Sequence, residues 1–430
     1  MTASALADLD LPWLGVDEPG FSVDPVARFA EARAHHPWLA RCSFGHVITE
    51  YRAIRELMRH EEQMLMGFTD LVELMGATGT PWGDFIAGTV QVQSGETHKR
   101  LRAVLAPAFT PREANRQRPL MREVIEALID EWAPVKVISG QVQAPDDSEI
   151  TANRQTHSFD FELFASYFPI TVMCRMLGAS PAVIPRLRSS LEALGLAFGM
   201  GRDYLPTLQA SVTTLQTFVR ELVADRRAGE RPQPEPDLLD RLIDAQDRGG
   251  IDEEELYNLL IFLFGAGYDT SKNVLTLIMH RLLDRPADYA RCGEDPAFAR
   301  RLIDEALRFE SPSSATRRVI ESFTLRDVEL PAGTLLMIPW SMLGRDPTAV
   351  ADPDIFMPER PGGSTHVAFG LGPHICLGQF IARAQIEEGL HLIARRLRNP
   401  RLAGTIGWRP FPGVWGIRGL PIEFDTTAAK

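Results

Sequence analysis

Apolar residues recur three or four positions apart over residues 25–34, 51–59, 111–132, 184–198, 207–227 and 379–397. That spacing puts them on one face of a helix of 3.6 residues per turn. Strand-like alternation is short and scattered, at 46–49, 319–330 with its turns, 334–339 and 420–424. The pattern predicts a mainly α chain with small β-sheets, an α+β fold whose sheets draw on segments near both ends. No repeat of 20 to 50 residues interrupts it. Two polar stretches, 136–157 and 228–237, read as loops from their Pro, Ser, Gln, Asp and Asn content. The helical patterns on either side are similarly amphipathic, so we expect excursions from a single domain spanning 1–430.

One periodic segment is longer than the rest. Asp252 followed by Glu255 has the spacing of a capping box, and the pattern runs on to Asp284, where Arg285-Pro286 stops it. At 1.5 Å per residue this helix is roughly 48 Å long, enough to cross the molecule. Its middle reads Gly265-Ala266-Gly267-Tyr268-Asp269-Thr270. Two interior glycines cost on the order of 1 kcal/mol each relative to alanine. They imply close approach either of a flat, bulky group or of a neighbouring helix. Its most apolar stretch, 256–267, is interrupted by Asn258 and falls short of the about 20 residues of a bilayer span. A buried helix and no membrane anchor are expected.

Composition narrows the class. With 430 residues, 45% of them hydrophobic and 24% charged, the chain has the make-up of a globular protein large enough to enclose a cofactor. Lys and Arg number 45 against 57 Asp and Glu, a balance of −12 that argues against a nucleic-acid partner. Cys42, Cys174, Cys292 and Cys376 show no paired spacing. They read as reduced thiols, and with no basic-then-apolar start the expected location is cytoplasmic.

The chemistry concentrates in Phe369-Gly370-Leu371-Gly372-Pro373-His374-Ile375-Cys376-Leu377-Gly378, just before the periodic segment at 379. Glycines and proline enforce a tight loop that leaves backbone close to whatever Cys376 faces. A cysteine at a helix N-terminus has its thiolate favoured by the dipole and by free N–H groups. One thiolate alone does not make a four-ligand zinc site. It can be the axial ligand of a heme, or a nucleophile with His374 two residues away as base. The loop leaves both open.

The spacing Phe-x-x-Gly-x-x-x-Cys-x-Gly resembles the heme-binding signature of the cytochrome P-450 family, in which a cysteine thiolate ligates the iron. Four further segments fit in the family's order: His98-Lys99-Arg100-Leu101-Arg102, Ala266 to Thr270, Glu305-Ala306-Leu307-Arg308, and Phe356-Met357-Pro358-Glu359-Arg360. The resemblance implies the family's fold, a long central helix over a buried heme b held by Cys376. Phe369, Gly370, Gly372 and Gly378 would shape the loop, and Ala266 would leave space above the iron. His98, Arg102, Arg318 (six after Pro312) and His374 would meet the heme propionates. Glu305, Arg308 and Arg360 would form a buried structural network.

Asp269 and Thr270, on one face with Ala266, would supply protons for O–O cleavage, and Thr270 can bond the carbonyl four residues back. The activity so implied is a heme-thiolate monooxygenase that activates O2 and hydroxylates, or otherwise oxidises, a hydrophobic small organic molecule. Its electrons would come from NAD(P)H through a separate ferredoxin and ferredoxin reductase, docking on Arg100, Arg112, Arg116 and Arg383, with the protein a monomer. Met64, Met66, Phe68, Trp82 and Phe85 would roof the pocket, Ser313 to Thr316 would run beside the heme, and Val414 and Trp415 would close the far wall. Two rival readings remain: a heme-binding sensor or sequestering protein without turnover, which would need no acid–alcohol pair, and a heme-free enzyme using Cys376 and His374.

Overall fold

The computed structural model describes residues 4–134, 156–196, 201–229 and 236–426. Several of its helices begin where a side chain satisfies free N–H groups of the first turn. Asp24 caps Pro25–His35 by accepting from the Ala27 N–H, and Thr110 caps Pro111–Trp132 by accepting from the Glu113 N–H. Both helices carry proline at the first position, where no hydrogen bond is lost. The long helix is Glu253–Leu283, and its capping box is complete in both directions: the Glu255 N–H donates to Asp252 at 2.8 Å and the Asp252 N–H to Glu255 at 3.0 Å. It ends as expected, and Pro286 opens the next helix, Pro286–Glu294.

This central helix is buried along most of its length and packs against Phe161–Met176, Ile184–Leu196, Leu205–Arg227 and Gln379–Arg396. Gly267 exists for one of these contacts. A Cβ there would stand 2.9 Å from Met173 Sδ of Phe161–Met176, so this glycine serves helix–helix packing. Phe161–Met176 itself was not apparent from periodicity, because it is buried on nearly every side and has no polar face.

Among the described residues, four small sheets lie around the helices. The largest has the order Leu39–Cys42, Gly45–Ile48, Leu335–Ile338, Ala315–Val319, Met64–Met66, and so joins the first and last thirds of the chain. The segment read as a loop at 136–157 ends differently. Thr156 and His157 open a strand, Thr156–Asp160, which pairs antiparallel with Pro421–Thr426, while 135–155 lie outside the described residues. Of the other expected loop, 230–235 lie outside them too, and Asp237 caps the helix Leu238–Asp247.

Glu305 and Arg308 are fully buried in Pro296–Phe309 and pair through both carboxylate oxygens, at 2.8 and 2.7 Å. Arg360 reaches the same carboxylate at 3.1 Å, Ser364 Oγ donates at 2.7 Å and the Met357 N–H at 2.7 Å. Arg308 also donates to the carbonyls of Gly344, Pro353 and Ile355. One carboxylate thus ties a helix to the irregular chain that leads to the cysteine loop.

Candidate active site

A cavity of about 380 Å³ separates the middle of the central helix from the cysteine loop. Ala266, Asp269 and Thr270 line one side, and Phe369, Gly370, His374, Cys376 and Gly378 the other. Gly370 and Gly372 hold φ of +76° and +74°, conformations that other residues rarely adopt. They fold the loop so that the Cys376 N–H donates to the Phe369 carbonyl at 2.8 Å. A Cβ on Gly378 would come to 4.0 Å from Cys376 Sγ, filling space beside the sulfur.

Cys376 is solvent-exposed through the open cavity, yet the protein around its thiol still pushes the pKa up by desolvation, against the pull of the Gly378 N–H and of Arg102. A bound metal ion would be a stronger cause of a thiolate here than either of these. Burial likewise drives His374 down to about 3, with His98, Arg317 and Arg102 adding to the shift. Its ring lies 4.2 Å from that of His98, and it has no hydrogen bond to Cys376 among the described residues. A Cys–His nucleophile pair would require that missing hydrogen bond.

His98 and Arg102, both on Gly95–Leu105, line the cavity, and Arg102 Nη2 donates to the Ile375 carbonyl at 3.0 Å. Arg318 does not line it. Its side chain turns outward to Asp70, at 3.1 Å, whereas Arg317 is 1% exposed and lines the cavity. The correction follows from strand geometry: consecutive residues of Ala315–Val319 point to opposite faces, so a one-residue error in counting exchanges the two arginines.

On the central helix, Thr270 Oγ1 donates to the Ala266 carbonyl at 3.0 Å, as its spacing implied, and the helix continues unbroken. Asp269 is not free. Arg409, from the loop after the short strand Gly407–Trp408, grips both its oxygens at 2.9 and 2.7 Å. Lys272 Nζ lies 3.2 Å away and is itself 2.8 Å from Glu162, and Asn273 Nδ2 donates to the Asp269 carbonyl at 2.7 Å. Two glycines make room: a Cβ on Gly195 would lie 2.2 Å from Asp269 Oδ2, and one on Gly416 2.1 Å from Asn273 Oδ1. Arg409 is 140 residues from Asp269 and carries no local motif, so the sequence reading missed it.

Met66, Phe68, Trp82 and Phe85 line the cavity, whereas Met64 packs in a separate core cluster. Ser313, Ser314 and Ala315 line it, and Thr316 does not. Val414 closes one wall, but Trp415 stacks on Trp408 at 5.2 Å instead. Of the expected docking arginines, Arg100 pairs with Glu255, Arg116 with Glu113 and Arg383 with Asp304. Arg112 is exposed and has no ion pair among the described residues.

A sulfur donor, two guanidinium groups near one loop and apolar walls are the surroundings an iron porphyrin with two carboxylates requires, so the residues present fit heme. A family model described as "Cytochrome P450" matches residues 195–399. Luteothin monooxygenase of Streptomyces thioluteus is 31% identical over 420 residues, 96% of each chain. The chain belongs to the cytochrome P-450 family. Pentalenic acid synthase of Streptomyces avermitilis is 30% identical over 336 residues, covering 76% of this cytochrome P-450 and 75% of the relative. The crystal structure of the myxobacterial cytochrome P-450 CYP267B1 in complex with myristic acid superposes with a TM-score of 0.80 at 26% identity, over 95% and 98% of the two chains.

This cytochrome P-450 is therefore an oxidoreductase of the monooxygenase type, with bacterial biosynthetic relatives, and the family implies heme, O2 and a redox partner. No helix among the described residues is long and apolar enough to cross a membrane.

Proposed function

We propose that this cytochrome P-450 binds heme b through Cys376 and hydroxylates or otherwise oxidises a hydrophobic small organic molecule. Electrons would pass from NAD(P)H through a ferredoxin reductase and a ferredoxin. The reading includes one domain over 1–430 acting as a cytoplasmic monomer. The observation that carries it is a cavity with Cys376 on one side and Asp269 and Thr270 on the other. An acid and an alcohol beside the place of oxygen chemistry favour turnover over a sensor, which needs no proton delivery. The names of luteothin monooxygenase and pentalenic acid synthase, and the myristic acid in the related structure, support an apolar substrate.

Bound heme would supply the iron at which O2 is reduced. The chain would do the rest. Cys376 Sγ would donate electron density to the metal, and Arg102 and Arg317, with His98 and His374, would hold the carboxylates. Phe369, Gly370, Gly372 and Gly378 would keep the loop close and dry. Thr270 would hold a proton at Oγ1, now directed at the Ala266 carbonyl, where rotation turns it into the cavity. Asp269 would refill that proton, but only after one of its oxygens leaves Arg409, because a carboxylate held by two cations is an acceptor alone. Arg409 is thus the proposed keeper of the relay. Ferredoxin docking would centre on Arg112, since the other arginines are already matched by carboxylates.

The test is the ferrous–CO difference spectrum of the purified protein, followed by titration with fatty acids and polyketide-like compounds. A red-shifted, thiolate-type Soret band and a spin shift with an apolar ligand are expected. A histidine-type band, or no heme after heme-supplemented expression, overturns the proposal.

A further inference from the structure

The cation that meets the cavity in place of Arg318 has a carboxylate already beside it. Arg317 Nε and Nη2 each lie 3.2 Å from Glu61 Oε1, and Nη1 donates to the Thr316 carbonyl at 3.2 Å. Glu61 does not line the cavity, but its second oxygen stands over the cysteine loop, where a Cβ on Gly372 would lie 3.8 Å from Oε2. That oxygen is buried and has no hydrogen-bond partner among the described residues. A buried carboxylate oxygen with nothing donating to it is costly as an anion and serviceable as a hydroxyl.

Charge makes the same point. Two guanidinium groups, Arg102 and Arg317, face the cavity, and Glu61 cancels one of them. Two heme carboxylates then leave the buried site one negative charge in excess, and carboxylates sharing a site titrate with one pKa strongly raised. On the reading that this pocket binds heme, we propose that Glu61 enters the loaded site as a neutral carboxylic acid, taking up one solvent proton as the heme carboxylates arrive. Its Oε1 continues to position the Arg317 guanidinium, and Oε2 becomes a donor. Burial already moves the Glu61 carboxyl upward against the pull of Arg317. The other titratable groups at this end are His98 and Arg102 from Gly95–Leu105 and His374 from the cysteine loop, with His60 and Glu62 on the same segment as Glu61. His60 is engaged with Gln63 and stacked on Phe323. His98 and His374 are the rival proton acceptors.

The experiment follows heme transfer from the ferric holoenzyme to excess apomyoglobin between about pH 6 and pH 9, for the wild type and for Glu61→Gln. Linkage of one proton to one heme makes the wild-type loss rate climb, by up to about tenfold per pH unit, as pH approaches the carboxyl's pKa in the loaded site, and level off above it. Glu61→Gln, neutral throughout, is expected to give a flat profile and to hold heme more tightly at the alkaline end. Infrared spectra of the wild-type holoenzyme should show a buried protonated-carboxyl band that the variant lacks. A flat wild-type profile overturns the inference, and so does the absence of that band; neither result depends on the variant folding. The same slope in Glu61→Gln also overturns it and assigns the proton to His98 or His374. Failure of the heme reading looks different: the holoenzyme would then give no thiolate-type CO band at all.

Discussion

Replacing Arg409 by methionine isolates the least expected feature of the site. Asp269 and Arg409 are 3% and 5% exposed, and both carboxylate oxygens are engaged by the guanidinium. Removing one partner of a buried pair costs roughly 3–5 kcal/mol, because the other charge is left without compensation. Here Lys272, 3.2 Å from the same carboxylate, compensates in part, which places the expected loss at about 2–3 kcal/mol. The assay is chemical unfolding of the wild type, Arg409→Met, Asp269→Asn and the double variant, taken as a cycle. Direct contact predicts a coupling energy in the upper part of the roughly 0.5–3 kcal/mol range for neighbours.

The functional readout is separate. Freed from Arg409, Asp269 should pass protons without waiting for the pair to open, so the solvent isotope effect on oxygen-driven turnover should shrink, while turnover driven by added peroxide should change little. Additive stabilities in the cycle, or an unchanged isotope effect in a correctly folded Arg409→Met protein, would refute the proposed restraint.

Thr270→Val removes the hydroxyl and keeps the volume, so product formation should fall on the order of a hundredfold, the lower end for general acid–base groups, while O2 consumption persists; the ratio of product to O2 consumed checks this. Arg317→Ala should release heme readily and Arg318→Ala should retain it, measured as heme content after gel filtration. For Glu305, burial raises the carboxyl pKa, but hydrogen bonds from Arg308, Arg360, the Met357 N–H and Ser364 outweigh it and hold it at about 2. A depressed folded-state pKa means the contribution, about 3 kcal/mol, is fully present above the unfolded value near 4.5 and fades as pH falls from there through about 2. Acid unfolding of Glu305→Gln should lack that part of the wild-type slope.

Segments with one apolar face could be read directly, which is why Pro111–Trp132 and the long helix with its Asp252–Glu255 cap agree with the structure almost to the residue. Phe161–Met176 could not, since a helix surrounded by protein has no polar face to mark its period. At the site, Cys376, His98, Arg102, Asp269 and Thr270 all border one cavity, each having been found through a short local motif. The errors arose where tertiary structure decides. Arg318 was chosen by counting from Pro312, and only the register against Leu335 and Leu336 tells which arginine faces inward. Arg409 and Glu61 reach the site from far along the chain, and nothing in their own neighbourhoods announces a partner.

The five-stranded sheet also sets a timetable for synthesis. Met64–Met66 pairs with Ala315–Val319, and Gly45–Ile48 with Leu335–Ile338. From residue 66 to residue 319 the ribosome must add 253 residues, which at about 5–20 residues per second takes roughly 13 to 50 seconds. Throughout nearly all of that interval the early strands have edges without their partners, and Arg317, one of the two arginines that face the cavity, does not yet exist. Chains stalled before residue 315 should be cut by protease within 39–66, and stalled chains that include residue 338 and clear the exit tunnel should be protected there. The cofactor pocket is therefore among the last parts of the molecule to form, and heme can be captured only by an almost finished chain.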